Sequence, residues 1–250
     1  MMDIQDFEKL EFLRNQIAST EGWKIEMGIR DIGMSHYIFT LNYNHLKKSL
    51  ELFDSKDGSK LWAIKNRDKL DLFQKEVIRL FHNYLASVKS LVEHTRTIVR
   101  EVHIVREVHG NNEFSKESKI KIKAMFDKSP LSHFMQDLRN YILHKGIPNT
   151  FARMTPKESM KSEVTSSIML DLSSLRSWDG WKAKSKEYLY YTKDDISLYE
   201  IIVAYGSLVN DFYNWFLNRQ KELFKEQFER TQKLKDEYNK IILKYKLSDE

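Results

Sequence analysis

The sequence predicts a mainly α-helical protein, an elongated bundle with two long antiparallel helices and a small β-hairpin insertion. Eight glycines and three prolines in 250 residues leave few points where a helix must stop, because these two residue types are the strongest helix breakers. All three prolines (Pro130, Pro148 and Pro156) lie in one central stretch, so both flanks are free to form long helices. With 41% hydrophobic and 12% aromatic residues the chain has the material for a packed core, which argues against wholesale disorder. We read the chain, 1–250, as a single helical domain.

The N-terminal segment, 1–56, holds two helices, Ile4–Ser19 and Asn42–Phe53. Gly22, Gly28 and Gly33 leave the join between them open. Core helices with the functional motif follow over 59–146. The first of these runs from Ser59 to about His109. Its seam is Val77, Phe81, Tyr84, Val88, Leu91, Thr95, Ile98, Val102 and Val105, an alternating four–three spacing that suits a helix packed lengthwise on another. His82 and His94 within it read as partly buried packing residues. A short tandem, Val99–His103 and Val105–His109, steps by six residues and so turns its histidines ~240° apart; they do not form a metal-ligating pair. Gly110-Asn111-Asn112 closes the helix, since glycine and asparagine adopt the left-handed conformation that ends one.

Residues 147–182 read as an insertion. Thr150–Met154 and Val164–Leu172 are β-tolerant and form a hairpin, with Thr155-Pro156-Lys157 breaking between them; Ser177-Trp178-Asp179-Gly180-Trp181 starts a short helix. The last element is one long helix within 194–246, from Ser197 to about Lys246. Ile202, Val209, Phe212, Phe216, Leu223 and Phe224 form the partner seam for the first long helix. Beyond Arg219 alternating Lys and Glu mark a solvated face or an arm used in assembly.

Composition excludes several functions. Without cysteine there is no disulfide framework, thiolate nucleophile or Cys-ligated zinc. No stretch approaches the roughly 20 apolar residues of a bilayer span, and the acidic, amphipathic Met1–Leu10 lacks a signal-peptide core; a cytoplasmic, non-membrane protein is expected. No glycine loop for phosphates, His-Glu-x-x-His site or Gly-x-Ser-x-Gly elbow is present, so no metal or cofactor is expected. The net charge of +5 is a mild bias compatible with a phosphate-rich partner.

The functional argument rests on Gln136-Asp137-Leu138-Arg139-Asn140-Tyr141-Ile142-Leu143-His144. Ser129-Pro130 is a helix start, Gly146 and Pro148 a stop, and the helix spans about Leu131–Lys145. At ~100° per residue, Leu131, Phe134, Met135, Leu138, Tyr141 and Ile142 make one apolar face. His133, Gln136, Asp137, Asn140 and His144 fall opposite, with Arg139 at the border. An ordinary surface helix carries Lys and Glu on its outer face; amides and imidazoles there belong to a site or to a hydrogen-bonded interface. A guanidinium grips phosphate through paired hydrogen bonds and stabilises a pentavalent phosphorus centre. An imidazole is the side chain suited to proton transfer near neutral pH. Asn140, one turn before His144, is placed to orient its ring. His133 is on the right face but reads first as structural. Asn83 and Arg96 on the first long helix are candidates to line the same cleft. Tyr188–Tyr191 and Phe212-Tyr213 with Trp215-Phe216 read first as core, with base stacking as the alternative.

The run Arg139-Asn140…His144 resembles the signature of the HEPN superfamily (higher eukaryotes and prokaryotes nucleotide-binding domains), in which an arginine, a polar residue, a spacer and a histidine sit on a late helix of an α-helical bundle. Arg30 with His36 and Arg96 with His103 match the spacing loosely; the former lies among glycines with no firm helix, the latter has Thr97 in the polar position. The resemblance implies a metal-independent endoribonuclease of a toxin–antitoxin or phage-defence system, dimeric through facing motif helices. It assigns Arg139 and His144 as catalytic, Asn140 as supporting, and implies RNA, a second copy and an antitoxin or defence-system partner. The competing classes are a non-catalytic helical module that binds RNA, nucleotide or a protein, and a structural subunit assembled through the C-terminal arm.

Overall fold

The structure is a computed structural model describing residues 3–107, 113–156 and 164–246. Among these, nine α-helices dominate, with a small three-stranded antiparallel sheet. In chain order they are α1 (Ile4–Ser19), α2 (Glu21–Phe53), α3 (Arg67–Glu107), α4 (Glu113–Ile122), α5 (Pro130–His144), β1 (Thr150–Pro156), β2 (Val164–Leu170), α6 (Leu172–Arg176), α7 (Ala183–Tyr191), β3 (Ile196–Ser197), α8 (Leu198–Leu223) and α9 (Lys225–Lys246).

The largest correction concerns α2. It is continuous from Glu21 to Phe53, so the expected short helix Asn42–Phe53 is only its C-terminal part. Arg30 and His36 therefore do sit on a firm helix. A helical glycine costs about 1 kcal/mol relative to alanine, which burial of a full seam outweighs. Ile25, Ile32, Phe39, Leu46 and Phe53, all buried, recur every seven residues; this heptad pattern binds the helix lengthwise to its neighbours. At Gly22 a β-carbon would fall under 3.0 Å from Gln227 and Thr231, so there the glycine permits the close approach of α9.

The helix expected from Ser59 begins at Arg67, preceded by two single-turn 3₁₀ segments, Gly58–Trp62 and Ile64–Asn66. It packs antiparallel on α2: Phe53 stacks on Phe73, Phe39 meets Tyr84, and Ser35 bonds His94. Val77, Phe81, Tyr84, Val88, Leu91 and Thr95 of its seam are buried. The side chains of Ile98, Val102 and Val105, the tandem with His103 and His109, and the Gly110–Asn112 stop lie outside the described residues. His82 and His94 are exposed rather than buried.

The expected antiparallel pairing of the first and last long helices is also corrected. Tyr84 reaches the Ile202 carbonyl and Thr95 bonds Tyr213 (2.8 Å), so α3 and α8 run parallel, and α2 lies antiparallel to both. The antiparallel long pair is α2–α3. The single C-terminal helix is divided at buried Phe224, which leaves helical geometry at φ −110° while its N–H still bonds the Gln220 carbonyl. Beyond this kink α9 packs on α1 and on the start of α2. Thr231 bonds Thr20 (3.0 Å), Lys235 pairs with Glu26 (2.5 Å) over the Trp23 ring, and Lys244 pairs with Asp6 (2.8 Å). One face of the Lys/Glu-rich segment thus belongs to the fold.

The hairpin forms between β1 and β2 with Thr150 opposite Leu170. A third strand, β3, adds to β2 with Met169 opposite Ser197; two residues long, it had no sequence signal. Arg153 pairs with Asp195 (2.7 Å), which also accepts the Leu172 amide, and Asp54 accepts the Ser166 amide (2.7 Å). The Trp178–Trp181 segment precedes α7 rather than starting it, and α6 supplies an unexpected turn of helix before it.

Candidate functional site

Helix α5 is built as its sequence dictates. Ser129 Oγ accepts the Ser132 amide (3.2 Å) with Pro130 in the first turn, and the amides of Lys145 and Gly146 both reach the Tyr141 carbonyl. Gly146 takes φ +133°, a conformation that side-chain-bearing residues rarely adopt. The buried face sits on an aromatic wall. Phe134 stacks on Tyr188 (4.7 Å) and Trp181 (5.5 Å), and Tyr141 meets Trp178 edge-on (5.2 Å). The Trp181 indole N–H donates to the Leu175 carbonyl (2.6 Å), which satisfies its polar atom and fixes the platform beneath α5.

The opposite flank of α5 and helix α3 enclose a cleft of about 270 Å³. From α3 come Leu85, Val88, Lys89, Val92 and Arg96; from α5, Met135, Gln136, Arg139 and Asn140; Lys182 and Tyr205 complete it. Its rim is cationic. Lys89 and Arg96 share Glu93, Arg96 at 3.0 Å, and the Lys89 ammonium, with Arg96 beside it, holds that carboxyl below its ordinary range against the opposing effect of desolvation. Burial pushes the Tyr205 phenol well up.

Arg139 is half-buried, and among the described residues its guanidinium has no hydrogen-bond or ion-pair partner. The same holds for the Asn140 carboxamide beside it. Two strong hydrogen-bonding groups thus line a cationic cleft with no side-chain partner among the described residues. Gln136 is exposed at the mouth.

His144 does not line this cleft. It is exposed in the last turn of α5, about 140° around the helix from Arg139 at 100° per residue. Asn140 lies between them, and no hydrogen bond joins it to His144. Leu143, which precedes His144 in sequence, and Ile147, three residues on, are exposed as well.

Asp137 corrects the expected polar strip. It is 3% exposed, and one carboxylate oxygen accepts the Ser185 hydroxyl (2.7 Å) and the Lys182 amide (3.1 Å). It clips α5 to α7 and does not line a site. His133 bonds the Asp127 carbonyl (3.1 Å), a local structural contact. Asn83 and His94 border a separate groove between α2 and α3, whereas Arg96 does line the cleft. Lys89, Lys182 and Tyr205, with the apolar Leu85 and Val92, are cleft residues the sequence reading lacked. Lys89, Glu93 and Arg96 share one helical face, but charges at that spacing have the pattern of an ordinary solvated helix. Among the described residues no group of three or more His, Asp or Glu is placed to hold a metal ion, and no helix is long and apolar enough to cross a membrane.

Comparison of the chain with protein-family models, with curated proteins and with solved structures returned no match.

Proposed function

We propose that this protein is a metal-independent endoribonuclease of HEPN type, acting on phosphodiesters brought to α5. The observation that carries the reading is the Arg139 guanidinium, without a partner among the described residues, beside Asn140 in a cationic cleft. A phosphate, like a carboxylate, is an anion whose geometry a free guanidinium matches, and the mild positive charge of the chain favours a phosphate-rich partner. In the proposed reaction a ribose 2′-oxygen attacks the adjacent phosphorus and loses its proton to a base. The P–O5′ bond then breaks, and the departing O5′ takes up a proton. The products are a 2′,3′-cyclic phosphate and a free 5′-hydroxyl. His144 moves the proton and Arg139 stabilises the charge on phosphorus. Because the two lie on different sides of one helix, the reading calls for a second copy whose α5 faces the first across a two-fold axis. The apolar pair Leu143 and Ile147, exposed and close to His144 in sequence, supports such a contact.

A second reading has its own observation. His144 stands outside the cleft and, among the described residues, has no partner to orient it, which favours a module that binds RNA or nucleotide through Arg139 without cleaving it. The two readings separate when purified protein is incubated with mixed cellular RNA in EDTA beside Arg139→Ala and His144→Ala. The ribonuclease reading expects cleavage by the wild type alone, and persistence in either variant removes it. RNA binding that requires Arg139 and is unaffected by His144→Ala, with no cleavage by the wild type, establishes the binding module. A place in phage defence or a toxin–antitoxin pair is part of the proposal only through the family resemblance.

A further inference from the structure

Helix α7 carries an arrangement that the cleft does not use. Its inner face, Ser185 and Leu189, is buried against the aromatic wall under α5. At its C-terminal end Tyr190 and Tyr191 are 77% and 72% exposed, with rings edge to face at 5.3 Å. This exposure is not that of a loose end. The Arg176 guanidinium donates to the Leu189 carbonyl (2.7 and 3.2 Å) and to the Thr192 carbonyl (2.7 Å), and the Thr192 hydroxyl donates to the Tyr188 carbonyl (2.8 Å). The last turn is therefore locked while two aromatic faces stand in water. Lys182, Lys184, Lys186 and Lys193 are exposed along the same segment, against Glu187 and Asp194. Lys184 also fixes α7 to the Asp127 carbonyl. Lys182 is at once the residue before α7 and part of the Arg139 cleft. Nine residues at 1.5 Å each carry α7 about 13 Å from that rim to the tyrosines, the reach of a few nucleotides.

We infer that α7 is the path of the substrate strand, with Tyr190 and Tyr191 as a stacking platform for unpaired bases and the lysines following the backbone phosphates toward Arg139. The inference rests on the phosphodiester reading of the cleft and deepens it by naming the substrate class. Bases held in a duplex cannot present their faces to a side chain, whereas every unpaired base has a face to stack. The substrate is thus single-stranded. The platform takes no account of sequence, since stacking reads no base edge.

The test uses the full chain and a fluorescently labelled oligoribonucleotide, free or annealed to its complement, with anisotropy reporting binding and gel analysis reporting cleavage. Wild type is expected to bind the single strand at least ten-fold more tightly than the duplex. Tyr190→Ala/Tyr191→Ala is expected to lose about ten-fold or more of that affinity, in line with the effect of removing one stacked base. Tyr190→Phe/Tyr191→Phe keeps both rings and is expected to bind as wild type. Circular dichroism of each variant checks folding. Equal binding by the alanine variant, an equal loss in the phenylalanine variant, or duplex binding as tight as single strand overturns the inference. Cleavage that is indifferent to the tyrosines overturns it while the ribonuclease reading stands. Tyrosine-dependent binding with no cleavage upholds it while that reading falls, and no binding of RNA by wild type overturns both.

Discussion

Replacing Asp137 tests whether the helix carrying Arg139 is held as described. Its carboxylate, 3% exposed, is the acceptor for the fully buried Ser185 hydroxyl and for the Lys182 amide. Asp137→Ala strands both donors. Leaving a buried donor unpaired costs about 1–3 kcal/mol, so the variant should lose about 3 kcal/mol. The Lys182 ammonium, 3.6 Å away with its side chain 76% exposed, adds little, because exposed pairs are worth a few tenths of a kcal/mol. Asp137→Asn keeps an acceptor oxygen and should lose about 1 kcal/mol. Urea denaturation followed by circular dichroism should show a lower midpoint at unchanged slope. Combining Asp137→Ala with Ser185→Ala should cost less than the sum of the two, because the stranded hydroxyl is then gone. A midpoint for Asp137→Ala within error of wild type, or strict additivity of the pair, refutes the clip between α5 and α7.

Two glycines of α2 should respond oppositely. Gly22→Ala puts a β-carbon against the backbone of Gln227 and should destabilise by about 1–3 kcal/mol; Gly33→Ala meets nothing within 4 Å and should stabilise by up to about 1 kcal/mol through helix propensity, both read by thermal unfolding. The Arg219 guanidinium, bonded twice to Glu117 at 2.7 Å, holds that carboxyl below its ordinary value of 4.5 against the opposing effect of desolvation. A depressed carboxyl stabilises the fold above its unfolded value, and the contribution is lost as pH falls through the folded one. Urea midpoints at pH 7 and pH 3 should therefore differ less in Glu117→Gln than in wild type, and an unchanged difference would remove the pair from the acid response.

The parts of the fold that local chemistry decides were legible in the sequence. Asp3 caps α1 and the helix runs Ile4–Ser19 as expected; Ser129-Pro130 and Gly146 bracket α5, and the β-tolerant runs pair as a hairpin. What was missed depends on contacts distant in sequence. The three glycines hid α2 because their cost is local, while its compensation, the seven-residue seam from Ile25 to Phe53 and the close approach of α9 at Gly22, is tertiary. The break at Phe224 and the parallel course of α3 and α8 have the same origin. At the candidate site, the apolar face of α5 and the outward aim of Arg139 and Asn140 followed from helix geometry. Helix geometry alone puts Asp137 in the polar strip opposite the apolar face, and only the packing of α7 against that side of α5 decides that it is buried. Lys89 and Lys182 joined the cleft through tertiary placement, which spacing within one helix cannot supply.

The central claim, attack by a ribose 2′-oxygen at a phosphate held by Arg139, is tested most directly by one substitution in the substrate. A single-stranded oligoribonucleotide cut by the wild-type protein in EDTA is resynthesised with 2′-deoxyribose at the nucleotide 5′ to the cut, and cleavage at that bond is measured. The account predicts that this bond becomes resistant while neighbouring bonds do not, and that the original products carry a cyclic phosphate and a 5′-hydroxyl. Continued cleavage at the deoxy position, or products ending in a 5′-phosphate, would contradict it.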